Sequence, residues 1–183
     1  FLLPAAQHAD KNAINPEMMK EIIEDLDEYY DYILVDSPAG IEQGFENSVV
    51  AADAAIIITT PEISAIRDAD RIVGILEQRE IEPPKLVINR IRKEMMDSGD
   101  VMDIEEISRH LSIELLGIIY EDEQVVRTSN HGDPVVLDPD HISSKGYRNI
   151  ARRILGESVP LLTIKEEVKQ PFWKRLFGFM NKD

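Results

Sequence analysis

One short segment of the sequence combines an apolar run, a carboxylate and a turn that contains glycine. Ile33-Leu34-Val35 is followed by Asp36 and then by Ser37-Pro38-Ala39-Gly40. A carboxylate at the end of a strand can hold a water molecule of Mg²⁺, since that ion keeps several waters and binds through few protein groups. Gly40 allows the backbone to approach a terminal phosphate closely. The segment is therefore typical of a Walker B strand, although an aspartate that caps the next turn has the same local pattern.

A second polar strand end lies further along the chain. Leu86-Val87-Ile88 is apolar, and Asn89 and Arg90 follow it. The asparagine amide both donates and accepts hydrogen bonds, so Asn89 can match the edge of an adenine base. A local hydrogen bond that closes a turn is the alternative.

The elements that must position these residues alternate between strands and helices. Asn15-Pro16 predicts the start of a helix, and Gly156 predicts the end of another. Helical spacing of apolar residues predicts helices over 65–79 and 142–155. Continuous apolar runs predict buried strands at 32–35, 54–60, 85–89 and 115–120. This alternation predicts an α/β fold with a doubly wound, mostly parallel sheet, in which ligands bind at the carboxyl ends of the strands.

The distribution of charge divides the chain into a body and a tail. Four basic residues and one acidic residue give residues 169–183 a charge of +3, so the other 168 residues carry −18 of the total of −15. An acidic body argues against general nucleic-acid binding. The absence of cysteine excludes disulfides and thiolate metal sites. We predict an α/β domain over 1–156, a polar linker over 157–170 and a short helix over 171–183.

The predicted terminal helix has an apolar arc and a basic face. At 100° per residue the apolar side chains span roughly 160°, and the basic side chains lie on the other side. This pattern is typical of a helix that lies in a membrane interface with anionic lipid, although a helix docked on its own core is the alternative. The candidate membrane-binding residues are Phe172, Trp173, Lys174, Arg175, Leu176, Phe177, Phe179 and Met180.

Several motifs, in order along the chain, resemble the MinD family of bacterial ATPases that place the division site. They comprise Leu2-Leu3-Pro4-Ala5 with Gln7, Asp10 and Lys11, Asp36 to Glu42, Ala52-Asp53-Ala54, Thr60-Pro61-Glu62, Arg67 to Ile72, Ser129 to Val135, and the tail. The resemblance implies a P-loop NTPase fold, ATP and Mg²⁺ as cofactors, and a homodimer when ATP is bound. It also implies a MinC-like inhibitor, a MinE-like or other topological regulator, and a peripheral location on the inner face of the plasma membrane.

The resemblance assigns expected roles to single residues. Asp36 would position Mg²⁺ through water, Gly40 would sense the terminal phosphate, and Asn89 and Arg90 would lie near the base. The exposed start of one helix would bind partners through Arg67, Asp68 and Asp70, although by spacing alone these charges are those of a solvated helix face. Tyr120 stands where the family carries proline in a loop near the base.

The phosphate-binding loop of this family has no counterpart in the sequence. No G-x-x-x-x-G-K-[ST] motif occurs, and no glycine is followed by lysine. The resemblance places that loop before Phe1, so we expect the chain to be the C-terminal portion of such an ATPase and to be inactive alone. A partition- or flagellum-placing ATPase and a non-enzymatic membrane-binding module are the alternative functions.

Overall fold

The computed structural model describes residues 1–4, 14–79 and 81–163, which form a parallel sheet with helices on both faces. The strands are β1 (Ile56–Thr59), β2 (Lys85–Ile91) and β3 (Glu114–Tyr120). The α-helices are α1 (Pro16–Asp27), α2 (Gln43–Val49), α3 (Ile63–Glu77), α4 (Lys93–Asp97), α5 (Ile104–Leu111), α6 (Glu123–His131) and α7 (Ile142–Ile154). A 3₁₀ turn, η1, spans Val135–Leu137.

The three strands run parallel, as the sequence predicts, and the structure places them in the order β1-β2-β3. Ile57 pairs with Leu86 in one ladder, and Leu86 pairs with Leu115 in the other. Parallel neighbours need a crossover connection. Helix α3 supplies the connection from β1 to β2, and α4 with α5 supplies the connection from β2 to β3. The predicted α/β class is confirmed.

Apolar side chains cover both faces of the central strand β2. On one face Leu86 and Ile88 are fully buried in the main core, to which α3 and α5 also contribute. On the other face Val87 packs with Leu116 and Ile119 of β3 under Tyr147 and Ile150 of α7. The face is close-packed here, since a side chain at Gly117 would collide with Ile150. Helices on the two faces make the sheet doubly wound.

Local sequence signals define the ends of α1 and α7. Asn15 caps α1, because its side chain accepts a hydrogen bond from Met18 N at 2.8 Å, and Pro16 opens the first turn. After α7, Gly156 adopts a φ of +84°, which glycine reaches without the steric cost of a Cβ atom. Both predictions from the sequence are confirmed.

The strand predicted over 32–35 is not formed. The segment has no regular secondary structure and no ladder with another strand of the described residues. Leu34 is 83% exposed and Tyr32 is 59% exposed. An apolar run becomes a strand only when a neighbouring strand completes its backbone hydrogen bonds. The prediction was wrong because the apolar composition of residues 32–35 does not by itself supply a neighbouring strand.

The start of the predicted linker is attached to the sheet. Arg153 of α7 donates to Leu116 O of β3 at 2.7 Å and makes two hydrogen bonds to Val159 O, at 2.8 and 2.9 Å. Leu162 packs against the main core. Residues 157–163 therefore run along the body, while residues 164–170 and the predicted helix over 171–183 lie outside the described residues.

Replacing Arg153 with leucine tests this attachment. The variant loses three hydrogen bonds from a charged donor, so we expect the free energy of unfolding to fall by about 2 kcal/mol in urea denaturation. Arg152→Leu is the matched control, because Arg152 pairs with Glu157 at 2.8 Å on the exposed surface. The control is expected to change the free energy by less than about 0.5 kcal/mol. Equal losses in the two variants would contradict the attachment.

Candidate functional site

The segment from Asp36 to Gly40 forms an exposed loop that leads into α2. Gly40 has a φ of +99°, and a Cβ atom built there would meet nothing within 4 Å. The loop packs back on α2, because a side chain at Gly44 would collide with the ring of Pro38. Asp36 is exposed and has no hydrogen-bond or ion-pair partner among the described residues. The loop therefore offers a free carboxylate and an accessible backbone to a ligand.

Near the carboxyl end of β2, the ladder with β3 shifts register between Ile88 and Ile91, and Asn89 and Arg90 form a local backbone turn there. Asn89 Oδ1 accepts a hydrogen bond from Arg90 N at 2.8 Å, and Arg90 has a φ of +55°. Asn89 Oδ1 therefore makes a local hydrogen bond within the turn, which is the alternative that the sequence left open. Its Nδ2 group has no partner among the described residues, so it remains available as a donor.

A carboxylate that the sequence analysis missed joins this turn to the end of β3. Glu121 accepts hydrogen bonds from Arg90 Nη2 at 3.1 Å and from Arg92 Nη2 at 3.0 Å, and Arg92 Nε also donates to it. The backbone repeats the link, because Glu121 N donates to Ile91 O at 2.9 Å. The signal in the sequence is an Arg-x-Arg pattern at the end of one strand and a Glu directly after the next.

The two arginines also shift the titration of Glu121. Hydrogen bonding by Arg92, followed by that of Arg90 and the positive charge of both, lowers the pKa of Glu121 to about 2 from its usual 4.5, against an opposing effect of burial. The same hydrogen bond and charge raise the pKa of Arg92. The site thus keeps its carboxylate ionised over the whole physiological range.

Hydrogen bonds to Asp122 hold the loop after β3 in place. Asp122 caps α6, because it accepts a hydrogen bond from Gln124 N at 2.9 Å. It also accepts a hydrogen bond from Ser143 Oγ at 2.8 Å, which links the start of α6 to α7. Burial is the largest single effect on the pKa of Asp122 and raises it, but the hydrogen bonds from Gln124 and Ser143 and the electrostatic attraction of His141 together lower that pKa. Tyr120, where the sequence departs from the family pattern, is 9% exposed and packs in the main core.

Helix α3 presents the candidate partner-binding residues to solvent. Ile66, Ala69, Val73 and Leu76 are buried on one stripe of the helix. Arg67, Asp68 and Asp70 lie on the opposite, exposed side and form no ion pair within the described part of the chain. This charged face is free to contact another molecule.

The structure brings only some of the predicted site residues together. Asn89 and Arg90 share one turn, and Asp36 and Gly40 share one loop, but no hydrogen bond or ion pair between described residues joins the turn to the loop. Residues 1–4, 14–79 and 81–163 contain no group of three His, Asp or Glu side chains that could hold a metal ion. No helix within these ranges is long and apolar enough to cross a bilayer. The membrane-binding candidates, Phe172 to Met180, lie outside the described residues.

Replacing Glu121 with glutamine should reveal the shifted pKa. A lowered pKa stabilises the folded state fully above the usual value of 4.5, and this stabilisation is lost as the pH falls toward about 2. We therefore expect Glu121→Gln to lower the free energy of unfolding at about pH 7, with the difference from the parent chain shrinking below about pH 4.5. Urea denaturation over this pH range measures both quantities.

Glu114→Gln is the control for this experiment. Glu114 makes only a 4.0 Å contact with Lys85, and both side chains are at least half exposed. We expect it to change stability at about pH 7 by less than about 0.5 kcal/mol. If Glu121→Gln loses the same stability at low and neutral pH, the charge on Glu121 is not the cause.

Comparison with known proteins identifies the fold family. The ParA family model, described as "NUBPL iron-transfer P-loop NTPase", matches residues 10–155. The septum site-determining protein MinD of Bacillus subtilis is 58% identical over 170 residues, which are 92% of this chain and 63% of the relative. MinD of Helicobacter pylori is 40% identical over 186 residues, covering 98% of this chain and 68% of the relative.

Solved structures agree with the sequence relatives. The MinC:MinD cell division protein complex of Aquifex aeolicus matches with a TM-score of 0.80 and 43% identity, covering 85% of this chain and 64% of that one. The MinD of Pyrococcus horikoshii complexed with Mg-ADP matches with a TM-score of 0.67 and 25% identity, over 76% of this chain and 56% of that one.

These matches cover more of this chain than of its relatives. The chain spans less than two thirds of the length of the Bacillus relative and of both solved structures. Within the matched part, the parallel sheet and its flanking helices follow the pattern expected from the sequence. The chain belongs to the MinD family of ParA-type P-loop NTPases.

Proposed function

We propose that the intact protein is a Mg²⁺- and ATP-dependent ATPase that positions the division septum through ATP-dependent dimerisation and membrane binding. The observation that carries the proposal is the free Asp36 carboxylate beside the open Gly40 backbone, in a chain that belongs to the MinD family.

The Asp36 loop fits a metal that binds with most of its water. Mg²⁺ uses one or two carboxylates together with water and substrate phosphates, so a single exposed carboxylate is a suitable protein group. Asp36 would hold Mg²⁺ through water, and Gly40 would bring its backbone to the terminal phosphate of ATP. When bound, Mg²⁺ would neutralise charge that develops on the phosphate oxygens. The Pyrococcus horikoshii MinD, which is complexed with Mg-ADP, supports this assignment.

The turn at Asn89 and Arg90, near the end of β2, would face the base of the nucleotide. Asn89 Nδ2 is available as a donor, while the bond from Arg90 N to Asn89 Oδ1 restricts the direction in which that donor points. Glu121 holds the Arg90 guanidinium, so Arg90 flanks the turn in a restricted position. Both residues thereby act in binding the nucleotide rather than in cleaving it.

Dimerisation and partner binding would use surfaces outside this turn. The charged face of α3, with Arg67, Asp68 and Asp70, would contact a MinC-like inhibitor and a MinE-like or other topological regulator. The Aquifex aeolicus complex of MinC with MinD supports an inhibitor of this kind. The strongly acidic body argues against DNA as the partner, as a partition ATPase would require.

The tail would bind the inner face of the cytoplasmic membrane. A single short amphipathic helix binds lipid only marginally, whereas two helices on one dimer make the second insertion intramolecular. The resulting avidity gain is of the order of 10²–10⁴. ATP-dependent dimerisation would therefore attach the protein to the membrane, and hydrolysis would release it.

A chimera tests the enzymatic part of the proposal. The chain by itself is expected to show no Mg²⁺-dependent ATP hydrolysis, because it lacks a phosphate-binding loop. Joining it to the P-loop segment of the Bacillus relative should produce hydrolysis, and Asp36→Ala in the chimera should reduce kcat by about 10²-fold or more.

The control for the chimera is Asp53→Ala, which removes another exposed aspartate. It is expected to leave kcat unchanged in a coupled assay of ADP release. Hydrolysis by the 183-residue chain alone would contradict the need for the phosphate-binding loop. Full activity of the Asp36→Ala chimera would contradict the proposed role of Asp36.

Paired substitutions in the tail test the membrane part. Trp173→Glu with Phe177→Glu removes two rings of the apolar arc, so we expect co-sedimentation with anionic vesicles to be lost. Gln170→Glu with Asn181→Glu adds the same two negative charges without removing an apolar side chain, and it should retain most of the binding. Equal binding by the first variant and the parent would exclude the tail as the anchor.

A further inference from the structure

Helix α7 is a basic element in an acidic body. Residues Ile142–Ile154 include four lysine or arginine side chains and no acidic one, whereas residues 1–168 as a whole carry a net charge of −18. Lys145, Arg148 and Arg152 are exposed, and their spacing of three and four residues places them within about 60° of one another around the helix. These three side chains form the basic stripe of α7.

The basic stripe lies on the outer side of the helix. Tyr147 and Ile150 pack on the sheet from the inner side of α7, about 150° around the helix from the stripe. Leu155 follows Arg152 by three residues, so it continues the stripe at the end of the helix, where it is 60% exposed. Basic side chains beside an exposed apolar one are typical of a surface that contacts a membrane interface.

Most of the charge on this stripe is not compensated. Lys145 Nζ donates a hydrogen bond to the backbone oxygen of Asp140 at 3.0 Å, and Arg148 Nη2 donates to that of Val136 at 2.6 Å. Both acceptors are neutral carbonyls, so these two cations keep their full charge. The third cation of the stripe pairs with Glu157 at 2.8 Å, and both of these side chains are about half exposed. An exposed pair of this kind is weak, so it can be exchanged for another anion.

The proposed membrane anchor would hold this charge close to a bilayer. Arg153 makes two hydrogen bonds to Val159 O, which keep the chain beside the end of α7 after the helix finishes. The seven residues 164–170 precede the predicted helix over 171–183, and they can extend over at most about 25 Å. An anionic lipid surface repels acidic faces of the body and attracts basic ones. The charge of α7 would therefore decide which face of a tethered body turns toward the lipid.

We propose that the basic stripe, together with Leu155, is a second membrane-contact site that binds the headgroups of anionic phospholipids and orients the body on the bilayer. The inference rests on the proposed membrane binding of the tail. DNA presents the same negative charge, but the exposed Leu155 and the connection to a tail with an apolar arc favour lipid.

Vesicle co-sedimentation of the full 183-residue chain tests the site. Lys145→Gln with Arg152→Gln removes two cations and keeps the hydrogen bond by which Arg148 holds η1. A cation near an anionic surface raises the affinity roughly 5-fold, so we expect the partition coefficient on vesicles that contain phosphatidylglycerol to fall about 10-fold or more. On vesicles of phosphatidylcholine alone, the variant and the parent should bind equally.

Lys20→Gln with Arg109→Gln is the matched control. It removes the same charge from exposed positions on α1 and α5, away from α7. We expect it to change the partition coefficient by less than about 2-fold. Equal losses in the control and in the stripe variant would show a general effect of net charge and would overturn the proposal.

A fluorescent label distinguishes direct contact from attraction at a distance. The sequence has no cysteine, so Ala151→Cys provides a single labelling position on the exposed surface beside the stripe. We expect a quencher attached to lipid headgroups to reduce the emission of this label on binding. A label introduced by Gln78→Cys, at the exposed end of α3, should stay bright. No quenching at position 151, or equal quenching at both positions, would overturn the proposal.

The tail variant separates this site from the proposed anchor. Unchanged binding by Trp173→Glu with Phe177→Glu would contradict the anchor, whereas unchanged binding by Lys145→Gln with Arg152→Gln would contradict the contact by α7. Absence of vesicle binding by the parent chain would contradict both. A DNA mobility shift that the stripe variant loses, with vesicle binding intact, would identify nucleic acid as the ligand and overturn the proposal.

Discussion

Parallel strand pairing around β2 is the constraint on which the rest of the structure depends. Parallel strands require crossover connections, and they are stable when apolar side chains cover both faces of the sheet. Leu86 and Ile88 have no exposed surface on one face, and Val87 is nearly as buried on the other. Helices α3 and α5 cover the first face and α7 covers the second, so the positions of three helices follow from one strand.

The same pairing creates the candidate nucleotide site. Strands that run in one direction end at one edge, which brings the last residues of β2 and Arg92 close to Glu121, the residue after β3. Glu121 then binds both Arg90 and Arg92, and its low pKa keeps the charge that holds them. The turn at Asn89 is therefore held by a contact between residues about thirty positions apart, as well as by its own local hydrogen bond.

Family membership connects this site to a biological role. The match over residues 10–155 and the 58% identity with MinD of Bacillus subtilis show the family. Within the proposed function, Asp36 and Asn89 belong to the nucleotide side and the charged face of α3 to the partner side.

The sequence by itself determined the elements whose signals are local. The cap at Asn15, the helical spacing of α3 and α7, and the apolar runs of β1, β2 and β3 are readable because neighbouring residues produce them. The tertiary structure alone decided that residues 32–35 stay unpaired, that Asn89 bonds its own turn and that Glu121 joins two arginines. These features depend on which groups come within hydrogen-bonding distance in the folded chain. A pattern of residue types does not specify which strand edge or side chain will be the partner.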